Sequence, residues 1–159
     1  MDDNQKIKII KRLKNRDYLL LRYLYYYRCL NIQQAWGLCY KSAGIDIKIF
    51  IQKRVVPFIR LNIVSLSHSG KSYVLTITND GIDILSSKIS LNNDFFDTKT
   101  KKIRSGVMRE SQIKILPRLM EHQLSLNQFV IDFSERMKKN RFKDYKYNYF
   151  DEKFMSKYP

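Results

Sequence analysis

The sequence predicts an α+β fold that is mostly helical, and three observations carry that expectation. Apolar residues recur at three- and four-residue spacing through residues 17–61. Two alternating runs, Ile63-Val64-Ser65-Leu66 and Tyr73-Val74-Leu75-Thr76-Ile77, flank the short turn His68-Ser69-Gly70-Lys71, which is the signature of a β-hairpin. From Arg109 onward the helical period returns in Ile113, Leu116, Leu119, Met120, Leu124, Leu126, Phe129, Val130, Phe133 and Met137.

Residues 1–16 read as a basic N-terminal arm, mobile or the frayed start of a helix. The first firm helix begins at Asn15 or Asp17, with Asp17 able to cap its first turn. Tyr18, Leu21, Leu24, Tyr25 and Arg28 line one side of it, while Leu19, Leu20, Tyr23, Tyr26 and Tyr27 fill much of the rest. A helix that is apolar on several sides is central or shared between subunits. The Tyr25-Tyr26-Tyr27 run accordingly reads as core or subunit interface rather than as a stacking platform for bases.

Asn31 is placed to cap a short second helix, Ile32 to Tyr40, with Ala35, Leu38 and Cys39 inward and Gln33 and Gln34 in water. Lys41-Ser42-Ala43-Gly44 is a turn that ends on a residue suited to left-handed backbone. Asp46 then caps a third helix from Ile47 to about Leu61, whose expected apolar line is Ile47, Ile51, Val55 and Phe58. Pro57 removes one ladder bond, so a bend or early end is expected near Arg54. After the hairpin, in a Thr/Asn/Asp cluster, Asn79 or Asp80 starts a short helix through Ile82, Ile84 and Leu85. Residues 89–108 are polar and read as a linker, and 109–159 as a helical extension interrupted at Pro117 and at Ser125-Leu126-Asn127. The last stretch, Asn140 to Pro159, has no clear period.

Helix, helix, turn, helix and hairpin in this order is the layout of a winged helix-turn-helix domain over residues 17–88, followed by a C-terminal helical extension that serves dimerisation or partner binding. The charge agrees with a polyanionic partner. The chain of 159 residues carries 30 Lys and Arg against 15 Asp and Glu, a formal charge of +15. The basic residues cluster at 6–28, 99–118 and 136–146, as expected of surfaces rather than of uniform bias. The second helix of a helix-turn-helix pair enters the major groove. Lys48, Gln52 and Lys53, with Arg60 further along, are therefore the base-reading and phosphate-touching candidates. His68, Ser69, Lys71 and Ser72 at the hairpin tip suit backbone or minor-groove contact.

Catalysis is not expected. Cys29 and Cys39 lie in apolar helical surroundings and read as reduced core residues of a cytoplasmic protein, and no Cys or His spacing suits a metal. Gly70-Lys71-Ser72 lacks the upstream glycine of a phosphate loop. With two histidines, one in a turn and one in an amphipathic helix, a nucleophile-and-base machine is not indicated. No leader peptide is expected, and the longest apolar segment, Tyr18–Tyr27, is broken by Arg22 and too short to span a bilayer. No cofactor is expected.

Two stretches carry a family resemblance. Tyr73-Val74-Leu75-Thr76-Ile77-Thr78-Asn79-Asp80-Gly81-Ile82 resembles the strand exit of many bacterial winged helix proteins. Leu116-Pro117-Arg118-Leu119-Met120-Glu121-His122-Gln123-Leu124-Ser125-Leu126-Asn127 is similar to the histidine, leucine and asparagine pattern that follows the wing in the replication-relaxation family. The resemblance covers roughly residues 17–127, with a weaker echo at Tyr149–Lys153. It implies a non-catalytic double-stranded DNA-binding protein of a mobile element, an accessory factor for transfer or replication, working as a homodimer with a relaxase or coupling protein. A winged helix transcriptional regulator and a protein-docking winged helix remain as alternatives. Longer members of the family carry a nuclease-related domain. Glu110, Glu121, Glu135 and Glu152 are not followed by Lys two positions on, and Asp144, Asp151 and Glu152 do not form a Mg²⁺-holding carboxylate cluster, so this chain is expected to stop before any such domain.

Overall fold

The computed structural model describes residues 3–91, 93–97 and 101–139. The expectations for Asn140–Pro159, including Asp144 and the Tyr149–Lys153 echo, lie outside the described residues. The fold is α+β and mostly helical, with a small three-stranded antiparallel sheet and a separate two-stranded one.

The arm begins as helix α1 (Asp3–Ile10), and Ile9, Ile10 and Leu13 pack on the main core. Helix α2 (Asn15–Tyr27) follows, and its cap differs from the expected one. Lys14 holds the cap position, whereas Asp17 sits at the third helical position and its Oδ2 accepts the Lys14 amide hydrogen at 2.8 Å. That back-reaching carboxylate is half of a capping box. The central placement expected of α2 holds: Leu20, Leu21, Leu24, Tyr25, Tyr26 and Tyr27 are all buried in the main core.

Strand β1 (Leu30–Asn31) is only two residues long and was not legible as a strand. Helix α3 (Ile32–Cys39) starts on a full capping box, in which Asn31 Oδ1 accepts from the Gln34 amide at 2.9 Å and Gln34 Oε1 accepts from the Asn31 amide at 3.1 Å. A tight 3-10 turn (Lys41–Ala43) ends at Gly44 with φ +67°, as the turn chemistry requires.

The third helix runs from Ile47 to Arg60 in three parts: α4 (Ile47–Phe50), a wide π turn (Ile51–Val55) and α5 (Val56–Arg60). Pro57 explains the middle part. Without an amide hydrogen at residue 57 the Lys53 carbonyl has no i+4 donor, and the ring crowds that carbonyl. Widening the turn relieves both, so the helix neither ends nor breaks. The Arg54 guanidinium donates to the Lys53 carbonyl at 3.4 Å. The wide turn also changes which side chains face inward, because residues five apart now share a face. Phe50, Val55 and Phe58 are the buried set, while Ile47 and Ile51, expected in the apolar line, are only half-buried.

Strands β2 (Val64–Ser69) and β3 (Ser72–Ile77) form the expected hairpin in the register Val64↔Ile77 to Ser69↔Ser72, and β1 adds to the free edge of β3, giving the order β1-β3-β2. Thr78 caps helix α6 (Asn79–Ser86) and ties it to the end of the third helix. Its hydroxyl accepts from the Gly81 amide at 3.2 Å and lies 2.9 Å from the Ile63 carbonyl. Gly81 is required there, since a Cβ would fall 2.2 Å from the Ile63 oxygen.

The segment read as a linker differs from expectation. It holds a second hairpin, β4 (Asn93–Asp97) paired with β5 (Lys102–Gly106), and Leu91, Val107 and Met108 at its two ends pack on the main core. Polar composition there goes with a strand, β5, that is exposed along Lys102–Ser105, rather than with absent structure. A short helix α7 (Glu110–Ile113) leads into α8 (Pro117–Lys139), which is continuous. Pro117 is its first residue, where a missing amide hydrogen costs nothing, and Ser125-Leu126-Asn127 does not interrupt it.

Alternation along β3 sends neighbours to opposite faces of the sheet. Leu75 and Ile77 join the main core with α2 and the third helix, whereas Val74 joins Cys29, Ile115, Met120 and Leu124 in a second, smaller core under α8. The sheet is therefore covered on both faces, and α8 packs directly on the hairpin domain. Asn127 is buried in this contact and donates to the carbonyl oxygens of Cys29 at 2.6 Å and Tyr27 at 3.3 Å.

Candidate nucleic-acid interface

The third helix presents its candidates together. Asp46 Oδ1 accepts the Lys48 amide at 2.7 Å and fixes the helix start, and Trp36 Nε1 donates to the Ile45 carbonyl at 2.7 Å and fixes the turn before it. From that start Lys48, Gln52, Lys53 and Arg60 all reach solvent, opposite the buried Phe50, Val55 and Phe58. Ile49, 52% exposed, lies among them and was not singled out from the sequence. It was hidden because an isoleucine one residue from a lysine fits an inward phase until the wide turn is known.

The hairpin tip is a two-residue turn, Gly70-Lys71, closed by the Ser69↔Ser72 pair. Gly70 has φ +55° and Lys71 is not among the residues with positive φ, as in a turn that needs glycine first. Lys71 and His68 are exposed. Ser69 and Ser72 are half-buried and, by strand alternation, lie on the side of Ser67, whose hydroxyl meets Met120 Sδ at 3.7 Å. They face α8 rather than the third helix. His68 instead pairs with Tyr73 across the strands, edge to face at 5.2 Å, on the face that carries Val64, Leu75 and Ile77 into the main core. Tyr73, 59% exposed, and Leu66, 42% exposed, complete an aromatic and apolar side of the hairpin that sequence reasoning missed. Glu121 of α8 reaches the turn from the other side, and a Cβ on Gly70 would meet its Oε1 at 2.3 Å.

A cleft of about 390 Å³ opens between the start of α2 and the third helix, lined by Lys14, Asn15, Arg16, Asp17, Tyr40, Ile45 and Arg54. Asp17 is its buried floor. Asp17 Oδ1 accepts from the Tyr40 hydroxyl at 2.6 Å and pairs with Arg54 Nε at 3.1 Å. Burial, then the bond to Asp17, pushes the Tyr40 phenol well above its ordinary value, so it stays a neutral donor. Nothing in one sequence links residues 17, 40 and 54, which only the helix packing brings together. The side chains of Lys14 and Arg16 stay exposed at the rim. A second basic surface lies on the β4–β5 hairpin, where Lys101, Lys102 and Arg104 are exposed beside Ile103 at 72%.

Burial pushes the Cys29 thiol up to about 11 and the Cys39 thiol up to about 12, Asp17 adding to the rise at Cys39, so neither is a thiolate near neutrality. Both are free cysteines. Among the described residues no group of three or more His, Cys, Asp or Glu side chains is placed to hold a metal ion, and no helix is long and apolar enough to cross a membrane. Comparison with protein-family models, with curated proteins and with solved structures finds no match to this chain.

Proposed function

We propose that the chain is a non-catalytic double-stranded DNA-binding protein whose residues 17–88 form a winged helix-turn-helix domain. The supporting observation is topological: a helix, a short strand, two further helices and a hairpin, with the short strand on the far edge of the hairpin in the order β1-β3-β2. Lys48, Gln52 and Lys53 enter the major groove, and Arg60 follows the backbone. Lys71 and His68 of the hairpin meet the adjacent groove, with Tyr73 added to them. Lys14 and Arg16 at the cleft rim touch a neighbouring phosphate. The resemblance of Leu116–Asn127 to the replication-relaxation pattern supports reading the chain as a mobile-element protein, an accessory to transfer or replication that meets a relaxase or coupling protein.

A duplex DNA titration at low and at physiological salt tests this reading. Affinity falls steeply with salt if phosphates are neutralised, and the double variant Lys48→Glu with Lys53→Glu lowers it at least about tenfold at moderate salt. Salt-independent binding, or an unchanged affinity of the variant, rejects it.

One observation favours a second reading, in which the same face docks a protein. Ile49, Leu66 and Tyr73 expose apolar surface beside the lysines. In that case an acidic protein partner is captured, Ile49→Ser with Tyr73→Ser abolishes that capture, and DNA affinity is low for wild type and variant alike.

A further inference from the structure

Helix α8 uses one face on the sheet and carries exposed apolar side chains on another. Met120, Leu124, Asn127 and Ile131 are the buried face, at intervals of four, three and four residues. Leu119 (48% exposed), Leu126 (46%), Phe129 (66%) and Phe133 (42%) lie on a different side, although the sequence places them in the same apolar set. Leu119, Leu126 and Phe133 follow one another at seven-residue intervals, with His122 and Phe129 between them. That is the spacing of a coiled-coil seam, in which an apolar stripe repeats every three and four residues. Phe129 and Phe133 stack with ring centroids 6.2 Å apart.

We propose that α8 pairs antiparallel with α8 of a second copy of the chain through Leu119, Leu126, Phe129 and Phe133. Charge selects a second copy and the direction. Arg118 and Asp132 flank the stripe on the same side, equally far from Ser125 on either side of it. A two-fold axis at Ser125 sets Arg118 against Asp132 of the partner subunit, and by symmetry does so twice. It also seats Leu119 on the stacked rings of Phe129 and Phe133 of the partner subunit. A parallel pair loses both charge matches and sets Arg118 near the neutral Gln123 of the partner subunit.

The four side chains expose roughly 400 Å² per copy, taking about 200 Å² for a large apolar side chain. The total falls below the ~1,200 Å² of standard interfaces, so the dimer is weak and depends on concentration. The pairing does not rest on the nucleic-acid reading, and its test uses no DNA.

Sedimentation velocity of the full chain, from low micromolar to sub-millimolar concentration, is the test. The wild type shifts from monomer to dimer across that range. Phe129→Glu weakens dimerisation at least tenfold, while its thermal melt at low concentration matches the wild type because the side chain is exposed in the monomer. Arg118→Asp and Asp132→Arg each weaken the dimer several-fold, and the double variant restores it. A wild type that stays monomeric throughout, whether residues 140–159 or an anionic vesicle cover the stripe, overturns the proposal. So does a dimer indifferent to Phe129→Glu, and failure of the double variant to restore association overturns the antiparallel arrangement.

Discussion

Asp17 shows how much one residue can hold and how little of that a single sequence reveals. Its type and position announced a helix start, and it does secure one, from the third position rather than the cap. Its other partners, Tyr40 and Arg54, come from two different helices, and no local pattern points to them. Asp17→Ala takes the acceptor away from the buried Tyr40 hydroxyl, the Lys14 amide and the Arg54 guanidinium, so it is expected to destabilise the fold by about 3 kcal/mol in urea melts. Gly81→Ala is expected to be at least as damaging for a steric reason, since its Cβ meets the Ile63 backbone oxygen. Thermal unfolding of that variant should begin well below that of Ser86→Ala, a control in the same helix. The buried thiols give a pH dependence of definite sign. Burial raises both Cys29 and Cys39, so the folded chain keeps protons that the unfolded chain releases above its ordinary value near 9. Their contribution is complete below pH 9 and is lost as pH rises from there toward about 12. Tyr27 and Tyr40, raised by burial too, act with the same sign. Unfolding free energy measured from neutral to alkaline pH is therefore flat at first and then falls, and Cys39→Ala flattens the fall.

At the scale of elements, the sequence is most legible where a local rule suffices. Asn31, Asp46, Gly44 and the Gly70-Lys71 turn each behave as their chemistry dictates, whereas Gln34, expected in water, is buried and donates to the Leu124 carbonyl at 2.9 Å. It is least legible where a long-range contact decides. Strand β1 exists because Leu30 and Asn31 find the edge of β3, and two residues carry no period of their own. The β4–β5 hairpin lies in a polar stretch whose strands are exposed along Lys102–Ser105, so no apolar alternation marks it. The third helix is intermediate: Pro57 flagged the disturbance, but the wide turn that answers it moved Phe50 inward and Ile51 outward. Phe50→Ala should accordingly cost about 3–5 kcal/mol and Ile51→Ala clearly less. Equal losses in chemical denaturation would mean that the helix is regular.

At the scale of the molecule, two cores share one sheet. The main core joins α2, α3, the third helix and α6, and the smaller one fixes α8 to the outer face through Val74, Met120 and Leu124. Residues 109–139 thus brace the hairpin, and Asn127 locks them to the end of α2 where Arg28 adopts φ +67°. Asn127→Ala leaves the Cys29 carbonyl without this donor in a buried place, a loss of about 1–3 kcal/mol, and should loosen α8 first in hydrogen exchange. Of the charge clusters visible in the sequence, the fold sets Lys14 and Arg16 at the rim of the cleft and Lys101, Lys102 and Arg104 on the β4–β5 hairpin, whereas the lysines of the third helix belong to no cluster and most of 136–146 lies outside the described residues. Whether the third helix and the β2–β3 hairpin tip meet DNA, as proposed, is the central matter. Amide chemical-shift mapping during titration with a short duplex addresses it most directly. The account predicts perturbations concentrated at residues 46–54 and 68–73, with smaller ones at Lys14–Arg16. Shifts confined to the β4–β5 hairpin, or none at low salt, would contradict it.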